Sequence, residues 1–425
     1  MTRNMQIDDI HSRQASFVRC YLYFLFGGNM KGKRILIGIT GGIAAYKMAD
    51  TVSMLVKTGA EVDVIMTKNA TEFITPLTFE TLTNRRCIVD TFARDFEFDV
   101  AHVSLAKAAD VILIAPATAN VIAKLAHGIA DDMLTTTILA AKCPKLIAPS
   151  MNTAMLENPI TQNNIKTLKK YGFEVIESDS GRLACGDLGR GKLPSPLILK
   201  EYIERCVARK KSLNGVHVTV TAGPTQESLD PVRFLTNHSS GKMGYAIARE
   251  AMLRGADVTL ISGVTELAIP PFINVQRVIS AKDMLEAVQN ELPSTDILIK
   301  AAAVADYRPK AISDNKMKKN DDDLSLPLER TEDILGWVKN NRHSGLFVCG
   351  FSMETENLIE NSRKKLIKKG LDMIAANNLR TIGAGFGIDT NVITIITKSY
   401  TKHLPLMSKA DAAAILMDEI ERRRK

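Results

Sequence analysis

The chain has 425 residues, 45% of them hydrophobic and 5% aromatic, enough for two or three domains with large cores. Basic residues exceed acidic ones by 55 − 47 = 8, a modest surplus that suits anionic small substrates. No basic stripe is interleaved with aromatics, so a nucleic-acid partner is set aside. Six scattered cysteines (Cys20, Cys87, Cys143, Cys185, Cys206 and Cys349) form no C-x-x-C and no zinc spacing, which argues against a disulfide framework and points to a reducing cytoplasm.

Residues 1–30 are expected to be an extension, disordered or preceding a true start at Met30. The apolar run Phe17–Phe26 is broken by Arg19 and is too short to span a bilayer. Asp8 and Asp9 before it argue against a secretory leader. Next comes KRILIGITGGIAAYK, Lys33 to Lys47. Arg34–Thr40 reads as a strand buried on both faces, Gly41 and Gly42 as a turn, and Ile43–Thr58 as a helix. That order favours a phosphate at the helix start, and the missing third glycine argues against a dinucleotide fingerprint. A mononucleotide or flavin phosphate fits.

Strand-like runs continue at Glu61–Met66, Val111–Ala115, Lys145–Ala148 and Glu174–Ile176, with helices such as Ala119–His127 and Asp131–Ala141 between them. The alternation predicts a doubly wound parallel sheet, with ligands beyond the carboxyl ends of its strands. Two loops follow strands on that edge. APATAN (Ala115–Asn120) has Pro116 ending the strand, and PSMN (Pro149–Asn152) follows the next one. His102 begins a helix between two strands, where it can act as acid or base near neutral pH. Residues 179–196 hold four Gly and two Pro and read as an irregular, functional loop carrying Cys185.

A helix over Pro196–Lys211 leads to a boundary at Asn214–Gly215, dividing the chain into domains 31–212 and 213–425. The second half reads as strands at Val216–Thr221, Val258–Ser262, Ile297–Ala301, Leu346–Gly350, Met373–Ala376 and Val392–Ile396. Helices are expected at Gly241–Arg254, Ala281–Glu291, Glu356–Lys369 and Asp411–Arg423. The segment TAGPTQESLDPVRFLTNHSSGKMG (Thr221–Gly244) fails as a Walker motif, because the first glycine is absent and Met243 stands where magnesium needs Ser or Thr. The helix start near Lys242 still suits an anion, beside Asn237, Ser239 and Ser240. AAAVADYRP places Asp306 beyond a strand. Lys316, Lys318 and Lys319 read as a mobile clamp on a polyphosphate, and Lys365 and Lys369 share a helix face.

GITGGIAAYK, AHVSLAKAAD, APATAN, PSMN and LACGDLGRG, in this order, resemble the flavin-dependent cysteine decarboxylases, specifically phosphopantothenoylcysteine decarboxylase. The resemblance implies FMN on Gly41, Gly42, Ile43, Ala44, Thr67, Ala115, Pro116, Ala117, Thr118 and Asn120. It makes His102 the base, Asn152 the partner of the substrate carboxylate, and Cys185 the acid that returns a proton after decarboxylation through a thioaldehyde. Thr221–Gly244, together with AAAVADYRP and the lysine run, is similar to phosphopantothenate–cysteine ligase. From about residue 31 onward the chain thus resembles the bifunctional coenzyme A biosynthesis family, a flavodoxin-like domain followed by a nucleotide-binding one, both Rossmann-like α/β folds with parallel sheets. The implied substrates are 4′-phosphopantothenate, L-cysteine and CTP with Mg²⁺, whose protein ligands the sequence leaves open. Asn237 is implied to hold an acyl-cytidylate. Ala301, Ala302, Asp306, Asp333, Ile334, Phe351, Lys365 and Lys369 are implied to contact CTP, and Lys316 to close over its phosphate. Trimers of flavin domains and dimers of ligase domains are implied as well. Thr331–Leu335 reads TEDIL, with Glu332 where the family usually has Pro, and VCGFSMET also departs from the usual pattern. The alternative reading is a flavin-binding regulatory protein whose first domain no longer turns over; such a binder needs neither His102 nor Cys185.

Overall fold

The computed structural model describes residues 30–91, 101–182, 186, 188–318, 325–354, 356–378, 385 and 387–424. The expected extension up to residue 29, Cys185 and Lys319 lie outside the described residues. The chain parts into two compact units between Arg209 and Lys210.

The first unit is built on five apolar runs. β1 (Arg34–Ile39), β2 (Glu61–Met66), β3 (Val111–Ala117), β4 (Lys145–Pro149) and β5 (Phe173–Val175) form a parallel sheet in the order β2-β1-β3-β4-β5. This is the flavodoxin-like arrangement, with its switch point between β1 and β3. β1 and β3 are buried on both faces, as near-continuous Ile, Leu and Val demand. One core lies under α1 (Met48–Lys57), α2 (Pro76–Thr83) and α8 (Pro196–Val207). The other lies under α3 (Ala101–Ala108), α4 (Ala119–His127), α5 (Met133–Ala140), α6 (Thr153–Glu157) and α7 (Pro159–Lys170).

Three local expectations are corrected. The helix expected from Ile43 opens as a tight 3₁₀ turn, Ile43–Lys47, before α1 begins. β3 runs through Pro116, because a register shift between Ile114 and Ala117 relieves the ladder of an N–H that proline lacks. The irregular loop over 179–196 contains a hairpin, β6 (Asp179–Arg182) and β7 (Leu188–Lys192). Its strands carry Gly, Ser and Arg instead of an alternating apolar pattern, so nothing in the sequence marks it as a sheet.

The second unit holds β8 (His217–Ala222), the pair β9 (Gln226–Ser228) and β10 (Phe234–Thr236), and α9 (Lys242–Leu253). β11 (Asp257–Ser262), β12 (Asn274–Arg277), α10 (Ala281–Glu291) and β13 (Ile297–Lys300) follow. Then come the pair β14 (Tyr307–Pro309) and β15 (Leu328–Arg330), α11 (Ile334–Asn341), β16 (Phe347–Glu354), α12 (Leu358–Lys369) and β17 (Met373–Asn378). The unit ends with β18 (Thr390–Asn391), β19 (Ile393–Ile396), β20 (Thr401–His403), β21 (Met407–Ser408) and α13 (Lys409–Arg424). Its eight-stranded sheet has the order β12-β11-β8-β13-β16-β17-β19-β20. The first six strands are parallel, in a Rossmann-type order that reverses between β8 and β13. β19 and β20 join antiparallel, so the sheet is mixed rather than wholly parallel.

Candidate functional site

Thr40, buried at the end of β1, bridges the first switch point. Its Oγ1 donates to the Pro116 carbonyl at 2.7 Å and accepts from the Thr118 N–H at 3.0 Å. A Cβ on Gly41 would lie 2.5 Å from Asn69 Cβ, so packing against the loop after β2 requires glycine there. At Gly42 a Cβ would meet only Thr118 Cγ2 at 3.7 Å, and Gly42 caps the 3₁₀ turn without a side-chain acceptor. The N–H groups from Ile43 onward thus begin at an open edge.

Thr67 follows β2, its N–H donating to the Ile39 carbonyl at 3.0 Å. Its Oγ1 is buried with no hydrogen-bond partner among the described residues. Thr118 caps α4, and Asn120 is exposed in the first turn of that helix. Gly41–Ala44, Thr67 and Ala115–Asn120 therefore sit at the carboxyl ends of three adjacent strands, β2-β1-β3. The orphaned hydroxyl and the uncapped glycine turn fit a phosphate-bearing ligand that supplies the missing partners.

An unsatisfied buried hydroxyl costs about 1–3 kcal/mol. Thr67→Val is therefore expected to raise the melting temperature of ligand-free protein while weakening retention of that ligand. Thermal scans of ligand-free protein and of protein with its ligand bound check this. A less stable ligand-free variant would assign Oγ1 a structural role instead.

His102 lies half-buried in the first turn of α3, whose start faces the carboxyl edge because the helix runs back against the strands. Asn152 caps α6, its Oδ1 accepting from the Ala154 N–H at 2.9 Å. The loop that carries Asn152 is tied on two sides. Ser150 N–H donates to the Ala117 carbonyl at 3.0 Å, joining the loops after β3 and β4. Met151 N–H donates to the Gly191 carbonyl at 3.1 Å, and Thr153 Oγ1 to the Arg190 carbonyl at 2.7 Å. Strand β7, and with it the hairpin whose connection contains Cys185, is thereby docked on the Asn152 loop.

In the second unit a cavity of about 830 Å³ opens at the β8–β13 switch point. Asn237, Ala301, Ala302, Asp306, Asp333, Ile334, Phe351, Lys365 and Lys369 all line it, as do Ser239 and Ser240; Lys316 does not. Asn237 Nδ2 donates to the Ala303 carbonyl at 3.1 Å. The amides of Ala301 and Ala302 are already committed, to the carbonyl and the hydroxyl of Thr221, each at 3.2 Å. Lys365 donates to the Phe351 carbonyl at 2.9 Å, and burial pushes its ammonium pKa down. Asp333 caps α11 and pairs with Lys369. Burial works to raise its pKa, but the Lys369 hydrogen bond and the Gly336 amide hold it below the ordinary value. Glu332, the departure noted above, lines the cavity and pairs with Arg308 at 3.1 Å.

Lys316 is exposed on a loop anchored by the D-P-V-R segment between β9 and β10. Asp230 accepts from the N–H groups of Val232 and Arg233, each at 2.8 Å, and of Met317 at 3.1 Å. Arg233 donates to the Met317 carbonyl at 2.7 Å. This motif thus positions the lysine loop, a role that its residue types alone do not disclose.

Sequence reasoning missed several cavity residues. Lys300 ends an apolar strand run, which is itself an odd place for a lysine. Lys409, at the start of α13, and Asn377, whose Oδ1 is buried without a partner among the described residues, come from the far end of the chain. Lys242 pairs with Asp389 at 2.7 Å, and Lys409, with a pKa of about 8, is held low by burial and then by Lys242.

Residues 27–208 match the model of the flavoprotein family, and residues 213–423 that of the DNA/pantothenate metabolism flavoprotein C-terminal domain. The class is thus a flavoprotein unit fused to a second α/β unit. The coenzyme A biosynthesis bifunctional protein CoaBC of Bacillus subtilis (strain 168) is 47% identical over 398 residues, covering 92% of this chain and 97% of that protein. Its counterpart in Escherichia coli (strain K12) is 39% identical over 395 residues, again covering 92% and 97%. A crystal structure of the C-terminal domain of a protein of this name is 41% identical, covers 50% of this chain and 97% of that one, and has a TM-score of 0.44. The chain belongs to this family: it is a bifunctional enzyme of coenzyme A biosynthesis, with phosphopantothenoylcysteine decarboxylase and phosphopantothenate–cysteine ligase activities. Among the described residues no helix is long and apolar enough to cross a membrane.

Proposed function

We propose that the second unit binds CTP in the lysine-lined cavity and the first unit binds FMN at the β1–β3 switch point. The observation that carries the reading is the convergence of the sequence-named nucleotide residues, Lys316 excepted, on one cavity at the β8–β13 crossing. In the ligase reaction the carboxylate of 4′-phosphopantothenate attacks the α-phosphorus of CTP, and pyrophosphate leaves. The amine of L-cysteine then displaces CMP from the acyl-cytidylate. Lys365 and Lys369 meet the phosphate charge, and Asn237 holds the acyl-cytidylate through its amide. Lys316 reaches over the reacting phosphate from its anchored loop. Among the described residues no three His, Cys, Asp or Glu side chains gather as a metal site. Magnesium would then enter with the nucleotide, on phosphate oxygens and water, with Asp306 and Asp333 the carboxylates nearest to hand.

In the decarboxylase, Gly41–Ala44, Thr67 and Ala115–Thr118 with Asn120 hold FMN. Bound FMN supplies a two-electron oxidation of the cysteinyl thiol, which eases loss of carbon dioxide. His102 acts as the base, Asn152 orients the substrate carboxylate, and Cys185 returns the final proton. Exposed apolar side chains in this unit, Leu77, Leu139 and Ile160 among them, support a homo-oligomer, with trimeric flavin units and dimeric ligase units as the resemblance implies. The free thiols of Cys87, Cys143 and Cys349 suit the cytoplasm.

The test is an absorption spectrum of purified protein, then incubation with 4′-phosphopantothenate, cysteine, CTP and Mg²⁺ and product analysis by mass. A flavin spectrum with 4′-phosphopantetheine and CMP is expected. Flavin with phosphopantothenoylcysteine as the end product would reduce the first unit to a binder. Absence of both flavin and CMP would overturn both halves of the proposal.

A further inference from the structure

Lys300 is the last residue of β13, in register with Thr221 of β8 and Gly350 of β16, and so stands at the centre of the second switch point. It is 9% exposed, and what is exposed faces the cavity. Among the described residues its side chain makes no hydrogen bond and no ion pair. Four charged groups surround it at longer range: Lys365, Asp333, Asp306 and Lys369. Asp333 is committed to Lys369 and the Gly336 amide, and Lys365 to the Phe351 carbonyl. Asp306 is exposed. A buried cation without a partner is costly, and a fold retains it where a ligand supplies the opposite charge.

Resting on the nucleotide reading above, we propose that Lys300 binds a phosphoryl oxygen of the nucleoside triphosphate at the floor of the cavity, and that nucleotide binding draws a proton onto it. Burial, and then the nearby Lys365, bring the Lys300 ammonium down to about 8, against the pull of Asp333 and Asp306. Near pH 7 the free site is therefore mostly charged; near pH 9 it is mostly neutral. An anion placed against it favours the protonated form, so binding above pH 8 takes up a proton and weakens by about tenfold from pH 7 to 9. Lys365 and Lys409 also titrate low, so the wild-type profile alone does not isolate Lys300.

The experiment is calorimetric titration of the full chain with CTP alone, without acid or cysteine, at pH 7, 8 and 9, for wild type, Lys300→Met and Lys300→Arg. Methionine keeps the apolar stem and removes the charge; arginine keeps the charge across the whole range. Lys300→Met is expected to bind CTP at least about tenfold more weakly at pH 7, with the gap closing by pH 9. Lys300→Arg is expected to gain about tenfold on wild type between pH 7 and 9, and to take up one proton fewer. Equal affinity of Lys300→Met and wild type at pH 7, or parallel pH profiles for all three proteins, would overturn the assignment. Failure of the wild type to bind CTP would instead overturn the nucleotide reading, and this inference with it.

Discussion

Asn237→Asp is expected to abolish ligase turnover while leaving the flavin spectrum and the decarboxylation of supplied phosphopantothenoylcysteine unchanged. The amide Nδ2 of Asn237 donates to the Ala303 carbonyl, which the Thr225 N–H also approaches at 3.3 Å. These bonds fix the side chain across the mouth of α9 and the A-A-A-V-A-D loop. A carboxylate of the same shape has nothing to donate. It would face the negative end of the Ala303 dipole and repel the phosphates that the surrounding lysines attract. Loss of one preorganised donor costs about 10²–10³ in rate, and the reversed charge adds to it. Initial rates of CMP release, with an acid quench to look for acyl-cytidylate, decide the matter. Wild-type turnover would remove Asn237 from the site.

Gly191→Ala is expected to cut decarboxylation by tenfold or more, with flavin still bound and the ligase untouched. Gly191 has φ +126°, where an L side chain is strained, and its Cβ would lie 2.1 Å from the Met151 carbonyl oxygen. The obstacle is backbone, so no rotamer relieves it. Strand β7 must then lift away from the loop that carries Asn152. A displacement of about 1 Å in a positioning group can cost about 10²-fold in rate. The decarboxylation rate and the flavin absorbance, measured on one preparation, check the result. Full decarboxylase activity would mean that the docked hairpin does not position the chemistry.

The two sheets were legible wherever strands are buried on both faces. Ile35–Ile39 and Ile112–Ala115 could be read because two-sided burial leaves an unbroken apolar run. The β6–β7 hairpin was not legible, since its order comes from backbone pairing and from docking on Met151 and Thr153. Nor does a run such as Ile393–Ile396 reveal strand direction: an antiparallel edge and a parallel centre look alike in hydrophobic pattern. In the cavity of the second unit, motif residues near 237, 301–306 and 365–369 were recognisable because their order and spacing are distinctive. Lys409 and Asn377 were not, because only the closing of the sheet brings residues so far apart in the chain to one wall.

Lys242, Lys300, Lys365, Lys369 and Lys409 all line the cavity of the second unit, and among the described residues Asp389 and Asp333 pair with just two of them, Lys242 and Lys369, so cations outnumber their carboxylate partners there. Folding and ligand supply become one thermodynamic quantity there. A polyanion present at a hundred times its dissociation constant would stabilise the unit by about 2.7 kcal/mol, without any change in the chain. With the nucleotide bound as proposed, the second unit would be least stable when triphosphate is scarce, and its survival against proteolysis would register the triphosphate concentration around it.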